Sequence, residues 1–215
     1  MSNKVVVIDY GIGNVFSVCN ALKQIDADVK LTRDKDEILS ADRVILPGVG
    51  AFAKAMEALE DLHLVELLNQ YKQLERPFLG ICIGMQVLMD NSEEFGSHHG
   101  LGFIKGTVVR IDKDTQENLR VPHISWANIR PQIGQDENAW SDTPLASFKR
   151  DRESVYFVHS YHCKPANLDT VLAQADYEGV ELTAAIQEGS IYGVQFHPER
   201  SGGVGQKFLQ GFMKL

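Results

Sequence analysis

Phe78-Leu79-Gly80-Ile81-Cys82-Ile83-Gly84 decides the fold. Phe78 to Ile81 is a continuous apolar run after an Arg76-Pro77 stop, the pattern of a strand buried on both faces. Gly80-Ile81-Cys82-Ile83-Gly84 then leads into a helical stretch beginning near Gly84. A strand entering a helix through a glycine-flanked turn is a nucleophile elbow, with cysteine in the serine place of G-x-S-x-G. The glycines are needed because the turn is tight and other backbone comes close. Such a turn lifts the Cys82 side chain above the strand ends. It also sets the sulfur at a helix N-terminus, where dipole and free N–H groups favour thiolate. The Ile83 N–H then faces any oxyanion formed on a carbonyl that Cys82 attacks. Read alone, Cys82 is also compatible with a small buried hydrophobe.

Upstream of this stretch the same grammar repeats. Lys4 to Asp9 is a β-branched run, broken by Gly11-Ile12-Gly13-Asn14. Val15, Val18, Cys19, Leu22 and Ile25 form a helical stripe with Asn14 at its N-cap position. Asp28 to Thr32 and Arg43 to Leu46 read as strands, the latter ended by Pro47-Gly48-Val49-Gly50. Met56 to Leu74 carries a helical pattern. Apolar strands separated by helices predict a parallel sheet covered on both faces, with the site at the strands' carboxyl ends. The fold class expected is α/β, with a mostly parallel central sheet flanked by helices.

Downstream the pattern changes. Thr107 to Ile111, Ile124 to Ile129, Val155 to Val158, Thr170 to Ala175, Thr183 to Gln187 and Ile191 to Phe196 read as strands with short turns. Helices are scarce until Val204 to Leu215. This half predicts an antiparallel extension of the same sheet. Pro144 and the charged run Lys149 to Glu153 read as a surface loop, and the absence of a linker predicts one domain over 1–215.

Composition narrows the function classes. The chain has 215 residues, 44% hydrophobic and 23% charged, enough for a sizeable core. Its net charge of −8 argues against a general nucleic-acid or anionic-membrane binder. The longest apolar stretch, Phe78 to Met89, is interrupted by two glycines and Gln86, whereas a membrane span needs about 20 residues. Val5 to Ile8 is too short for a signal peptide, so a cytoplasmic location is expected. Cys19, Cys82 and Cys163 do not make a disulfide framework, and no CxxC pair suggests structural zinc.

A thiol nucleophile needs a histidine and an acceptor that fixes its tautomer. Tyr192-Gly193-Val194-Gln195-Phe196-His197-Pro198-Glu199 supplies both, with a strand ending at His197 and Glu199 two residues on. Read alone, this pair also fits a surface histidine with an acidic neighbour. His63 sits in the Met56–Leu74 helical stretch, His98-His99 in a loop, and His123, His159 and His162 fit core or edge positions.

Gly80-Ile81-Cys82-Ile83-Gly84-Met85-Gln86 together with Gly193-Val194-Gln195-Phe196-His197-Pro198-Glu199 resembles the class I glutamine amidotransferases, which use a Cys-His-Glu triad. Within that class, Leu46-Pro47-Gly48-Val49-Gly50, Pro122-His123 with Trp126, Tyr156-Phe157-Val158-His159-Ser160-Tyr161 and His197-Pro198-Glu199-Arg200-Ser201-Gly202 are similar to the glutaminase subunits of imidazole glycerol phosphate synthase. The resemblance implies that Cys82 attacks the glutamine amide carbon, His197 moves the protons and Glu199 orients His197. It implies an oxyanion hole from the N–H groups of Ile83 and Val49. It maps glutamine contacts onto Gly50, Gln86, Glu94, Ser160 and Tyr161. Read alone, Glu94 belongs to a solvated acidic turn and Gln86 to a helix surface.

The resemblance further implies a partner, a (β/α)8-barrel cyclase docked through Asn14, Trp126 and Arg200, and it implies no metal or cofactor. The cyclase would combine ammonia with a ribulosyl intermediate to give imidazole glycerol phosphate for histidine synthesis. Read alone, Trp126 also fits a core position. In much of the family the run at 122 reads Pro-His-Met-Gly-Trp-Asn; here Ser125 and Ala127 replace the glycine and the asparagine. That departure keeps open a paralogous synthase that amidates surface-polysaccharide sugars. A stand-alone γ-glutamyl thiol hydrolase and a non-catalytic binding protein are the other readings.

Overall fold

The computed structural model describes residues 4–113, 119–132, 134–135 and 138–215. Strands β1 (Lys4–Ile8), β2 (Asp28–Thr32), β3 (Arg43–Gly48) and β4 (Phe78–Cys82) are separated by α1 (Val15–Lys23), α2 (Lys35–Ser40), α3 (Phe52–Asp61) and α4 (Leu64–Lys72). A single helical turn, α5 (Ile83–Gln86), follows Cys82 directly. Then come β5 (Asn91–Ser92), β6 (His98–His99), β7 (Gly106–Arg110), β8 (His123–Arg130), β9 (Ser154–His159), β10 (Tyr161–Pro165), β11 (Val171–Tyr177), β12 (Val180–Glu188) and β13 (Ile191–Val194), and finally α6 (Gly202–Phe212).

Nine of these strands form one sheet in the order β2-β1-β3-β4-β13-β12-β11-β8-β9. Neighbours from β2 to β13 run parallel, and those from β13 to β9 run antiparallel. Val5, Val6, Val7, Ile8, Val44, Ile45, Leu46 and Phe78 are all fully buried, so the central strands show no alternation. Only helices on both faces can cover such strands. No helix among the described residues is long and apolar enough to cross a membrane.

Several expectations need correction. Ile191–Val194 begins the antiparallel extension by pairing with β12, but its other edge lies beside β4 and parallel to it, so it joins the two halves in the middle of the sheet. Thr107–Ile111 is not in the main sheet either. As β7 it pairs with β10, a strand the sequence reading passed over, in a separate four-stranded sheet. The chain crosses from one sheet to the other at Ser160. The pattern over Met56–Leu74 is two helices, broken where His63 takes a φ of 54°. Helix α2 was also not anticipated, although Asp34 caps it by accepting from the Glu37 N–H at 3.0 Å. Asn14 does stand at the N-cap position of α1, but its side chain makes no capping hydrogen bond.

Candidate active site

The elbow is strained where it turns. Cys82 has φ 55° and ψ −110°, a region that side-chain-bearing residues rarely occupy, and it is 4% exposed. Gly84 is required by space, because a Cβ there would overlap the Leu46 carbonyl oxygen. Gly80 is required likewise, because its Cβ would overlap the carbonyl of Gly84. The helix after Cys82 is one turn long, so the macrodipole support expected from the sequence is small. Stabilisation of a thiolate must come mainly from side chains.

Strand register assembles those side chains. Gly48 pairs with Cys82 across β3 and β4, and Val194 pairs with Ile81 across β13 and β4. Gln195 therefore stands level with Cys82, and His197 follows just beyond the strand ends. His197 Nδ1 lies 2.9 Å from Glu199 Oε1, and both side chains are almost wholly buried. The other Glu199 oxygen is buried without a hydrogen-bond partner, so the imidazole is the main compensation for that carboxylate's charge. Burial opposes charge on His197, but hydrogen bonds and negative charge at Cys82 and Glu199 outweigh it and lift its proton affinity well above the ordinary 6.5. Its backbone is clamped as well. The His197 N–H donates to the Tyr156 carbonyl at 2.9 Å, the Ser201 hydroxyl donates to the His197 carbonyl at 2.7 Å, and the Tyr156 N–H donates to that hydroxyl at 3.0 Å.

Val49, Gly50, Cys82, Ile83, Gln86, Glu94, Ser160, Tyr161 and His197 all border one cavity of about 320 Å³, with Glu199 directly behind His197. This is the small end of the ligand-pocket range and suits a molecule the size of an amino acid. Gln86 is 1% exposed and Glu94 7%, which excludes the helix-surface and solvated-turn readings. Gln86 Nε2 donates to the Tyr161 carbonyl at 2.9 Å. Glu94 accepts from the Phe52 N–H at the start of α3, so its carboxylate is already tied to the scaffold. Val49 and Gly50 of the Pro47–Gly50 loop also border the cavity. Gly50 has φ 92° there, whereas Gly48 is needed for space: its Cβ would lie 2.7 Å from the Gly84 nitrogen.

Four neighbours escaped the sequence reading as site residues. Pro122 and His159 border the cavity. Gln195 is fully buried, with Nε2 3.6 Å from Cys82 Sγ and Oε1 accepting from Gln86 at 3.1 Å. Tyr10 donates to the Pro47 carbonyl at 2.8 Å beneath the loop. Gln195 lay inside a quoted motif, but only the pairing of β13 with β4 gives it a role.

Asn14, Trp126 and Arg200 lie outside the cavity on the surface. Trp126 is 54% exposed, so the core reading fails. Its ring meets Tyr156 edge-on at 6.0 Å, and the Arg200 guanidinium lies 4.6 Å over that same tyrosine. Helix α1, which Asn14 precedes, packs against the turn 198–200. Tyr156 and Val158 share a face of β9, and Val158 borders the cavity, so this surface runs up to the cavity mouth. Ser125 and Ala127 point to the opposite face of β8 from Trp126, so these two replacements leave the face that carries Trp126 untouched.

Comparison with known proteins identifies the family. The family model described as "Glutamine amidotransferase class-I" matches residues 6–215. The "Imidazole glycerol phosphate synthase subunit HisH 1" of Legionella pneumophila (strain Lens) is 41% identical over 99% of this chain and 100% of its own length. The chloroplastic "Imidazole glycerol phosphate synthase hisHF" of Arabidopsis thaliana is 43% identical over 97% of this chain, a match that covers 34% of that longer protein. The solved structure of PurLQS from Thermotoga maritima, 19% identical, covers 100% of this chain and 99% of its own with a TM-score of 0.72, which shows the fold alone. The chain belongs to the class I glutamine amidotransferase family, within its HisH branch.

Proposed function

We propose that this protein is the glutaminase subunit of an imidazole glycerol phosphate synthase, working in the cytoplasm as one domain over 1–215. One observation carries the chemistry. A cysteine on a strained turn shares a small cavity with a histidine whose second nitrogen is held by a buried carboxylate. In this reading Cys82 Sγ attacks the side-chain amide carbon of glutamine while His197 accepts the thiol proton. The N–H groups of Ile83 and Val49 hold the oxyanion, a contribution of about 3 kcal/mol for each such donor. His197 returns the proton to the departing nitrogen, ammonia leaves, and a γ-glutamyl thioester remains. Water activated by His197 then hydrolyses the thioester to glutamate. Glu199 keeps His197 in the tautomer that both steps need.

Ammonia released to neutral water would be protonated and would lose its nucleophilicity, so the product needs an acceptor close by. A (β/α)8-barrel cyclase docked over Asn14, Trp126 and Arg200 would meet the surface that leads to the cavity. The 34% share of the Arabidopsis relative supports such an arrangement, because that protein has room for a second module in one polypeptide. The Val49 peptide adds a gate. The Val49 N–H lies on the Gly48–Val49 peptide, and with glycine on both sides of Val49 that peptide can turn its N–H into or out of the oxyanion hole. A closed resting form would limit glutamine waste until the loaded partner docks.

Glutamate release, measured alone and with a candidate cyclase carrying its ribulosyl ligand, tests the whole reading, with Cys82→Ala as the inactive control. Low turnover alone and a large rise in the complex are expected. Full turnover alone would instead favour a free hydrolase, and no rise with this cyclase would point to another synthase.

A further inference from the structure

Beside the triad, a chain of polar groups crosses the interior and ends at the cavity. His159 Nδ1 is 2.9 Å from the Tyr161 carbonyl oxygen. His159 Nε2 is 3.2 Å from His123 Nδ1, and His123 Nε2 is 2.7 Å from the Ser125 hydroxyl. A carbonyl can only accept, so the His159 proton is on Nδ1. A neutral imidazole carries one N–H proton, so His159 Nε2 accepts and the proton between the rings belongs to His123 Nδ1. His123 Nε2 then accepts in turn, and Ser125 donates. The chain has one direction from end to end. A proton added at His159 Nε2 would face the His123 donor. Burial also disfavours charge on both rings, holding His123 near 4 and His159 near 3. His123 is clamped between Phe157 and Tyr177, stacked at centroid distances of 5.0 and 4.1 Å.

The far end touches the substrate wall. The Tyr161 carbonyl that accepts from His159 also accepts from Gln86 Nε2, whose other contact is Gln195 Oε1. With its nitrogen so used, Gln86 has its buried Oε1 as the free acceptor, with no hydrogen-bond partner. Gln86 borders the cavity.

We propose that Ser125, His123 and His159 are positioning residues for the glutamine substrate. Their chain fixes the Tyr161 carbonyl, which holds the Gln86 side chain against Gln195, and so sets the shape of the cavity wall that Gln86 and Tyr161 form. It also occupies both nitrogens of His159, leaving His197 as the imidazole that takes the Cys82 proton. Glycine at 125 would leave His123 Nε2 without its donor. This role rests on the glutaminase reading above.

Steady-state glutamine hydrolysis in the presence of the cyclase separates the two ideas. Ser125→Ala and His123→Leu should each raise KM for glutamine about fivefold, the worth of one net hydrogen bond, with kcat within about twofold. His123→Asn places an amide N–H where Nδ1–H stood and should restore KM. Nitrogen-15 NMR of the wild type at pH 7 should show His159 neutral and protonated at Nδ1. An unchanged KM in Ser125→Ala, a loss confined to kcat, failure of asparagine to rescue, or a charged or Nε2-protonated His159 would overturn the proposal. If His123→Leu does not fold, Ser125→Ala and the wild-type spectrum decide. No turnover by the wild type would overturn the glutaminase reading and this role with it, whereas turnover with unchanged KM overturns only this role.

Discussion

At the scale of single residues, position and protonation carry the chemistry. Glu199 is buried, and His197 is its compensating partner, so the pair works as a unit. Glu199→Gln removes the charge that favours the imidazolium and weakens control of the tautomer. Glutamate release should then fall by about 10²- to 10⁴-fold while the far-ultraviolet CD spectrum stays unchanged. His123 and His159 give a second prediction, about stability. Burial holds both below the ordinary 6.5, near 4 and 3, with neighbouring histidine charges adding to the effect at His159. Between pH 6.5 and about 4 the unfolded chain therefore binds more protons than the folded one. The contribution of these two rings to stability is full above pH 6.5 and is lost as the pH drops through that window. The Tm should decline from pH 7 to pH 5, less steeply in His123→Asn; a flat profile would contradict the buried neutral pair. Cys82 and the His197–Glu199 pair, which the structure brings to one cavity, could be picked out from sequence because each sits in a short local motif. Gln195 and His159 could not, because their roles depend on a strand pairing and on a partner 36 residues away.

At the scale of elements, close backbone approach decides what is tolerated. The elbow works because α5 starts directly over β3, and the Leu46 carbonyl occupies the space that a side chain at 84 would need. The obstacle is backbone and cannot rotate aside. Gly84→Ala should cost at least about 3 kcal/mol and lower the Tm by roughly 6–12 °C, readable in a thermal melt. The parallel strands β1 to β4 were legible because full burial forces continuous apolar runs. The join between α3 and α4 was not, since apolar spacing continues through Leu62 and Leu64 while His63 turns the backbone to φ 54°. Strand direction in the second half was equally hidden. Ile191–Val194 has the same composition whether it runs with β4 or against it.

At the scale of the whole molecule, the surface beside the cavity is the feature that implies an assembly. Trp126, half-buried Tyr156 and Arg200 make one contacting surface group whose tyrosine backbone also holds His197 and Ser201. Trp126→Ala should weaken the complex with the cyclase by about 2 kcal/mol, roughly 30-fold, in a titration, as expected for a central aromatic anchor. The Tm of the isolated chain should barely change, because the ring is 54% exposed. Unchanged affinity would remove this surface from the docking face. By itself the sequence determined the α/β class, the elbow at Cys82 and the His197–Glu199 pair, since local spacing and burial pattern encode these directly. Only the tertiary structure decided that β13 lies beside β4, that Gln86 and Glu94 are buried at the cavity, and that Ser125 is tied through His123 and His159 to Tyr161. Each of these joins groups far apart in the chain, and no local preference of one segment specifies which distant segment it will meet.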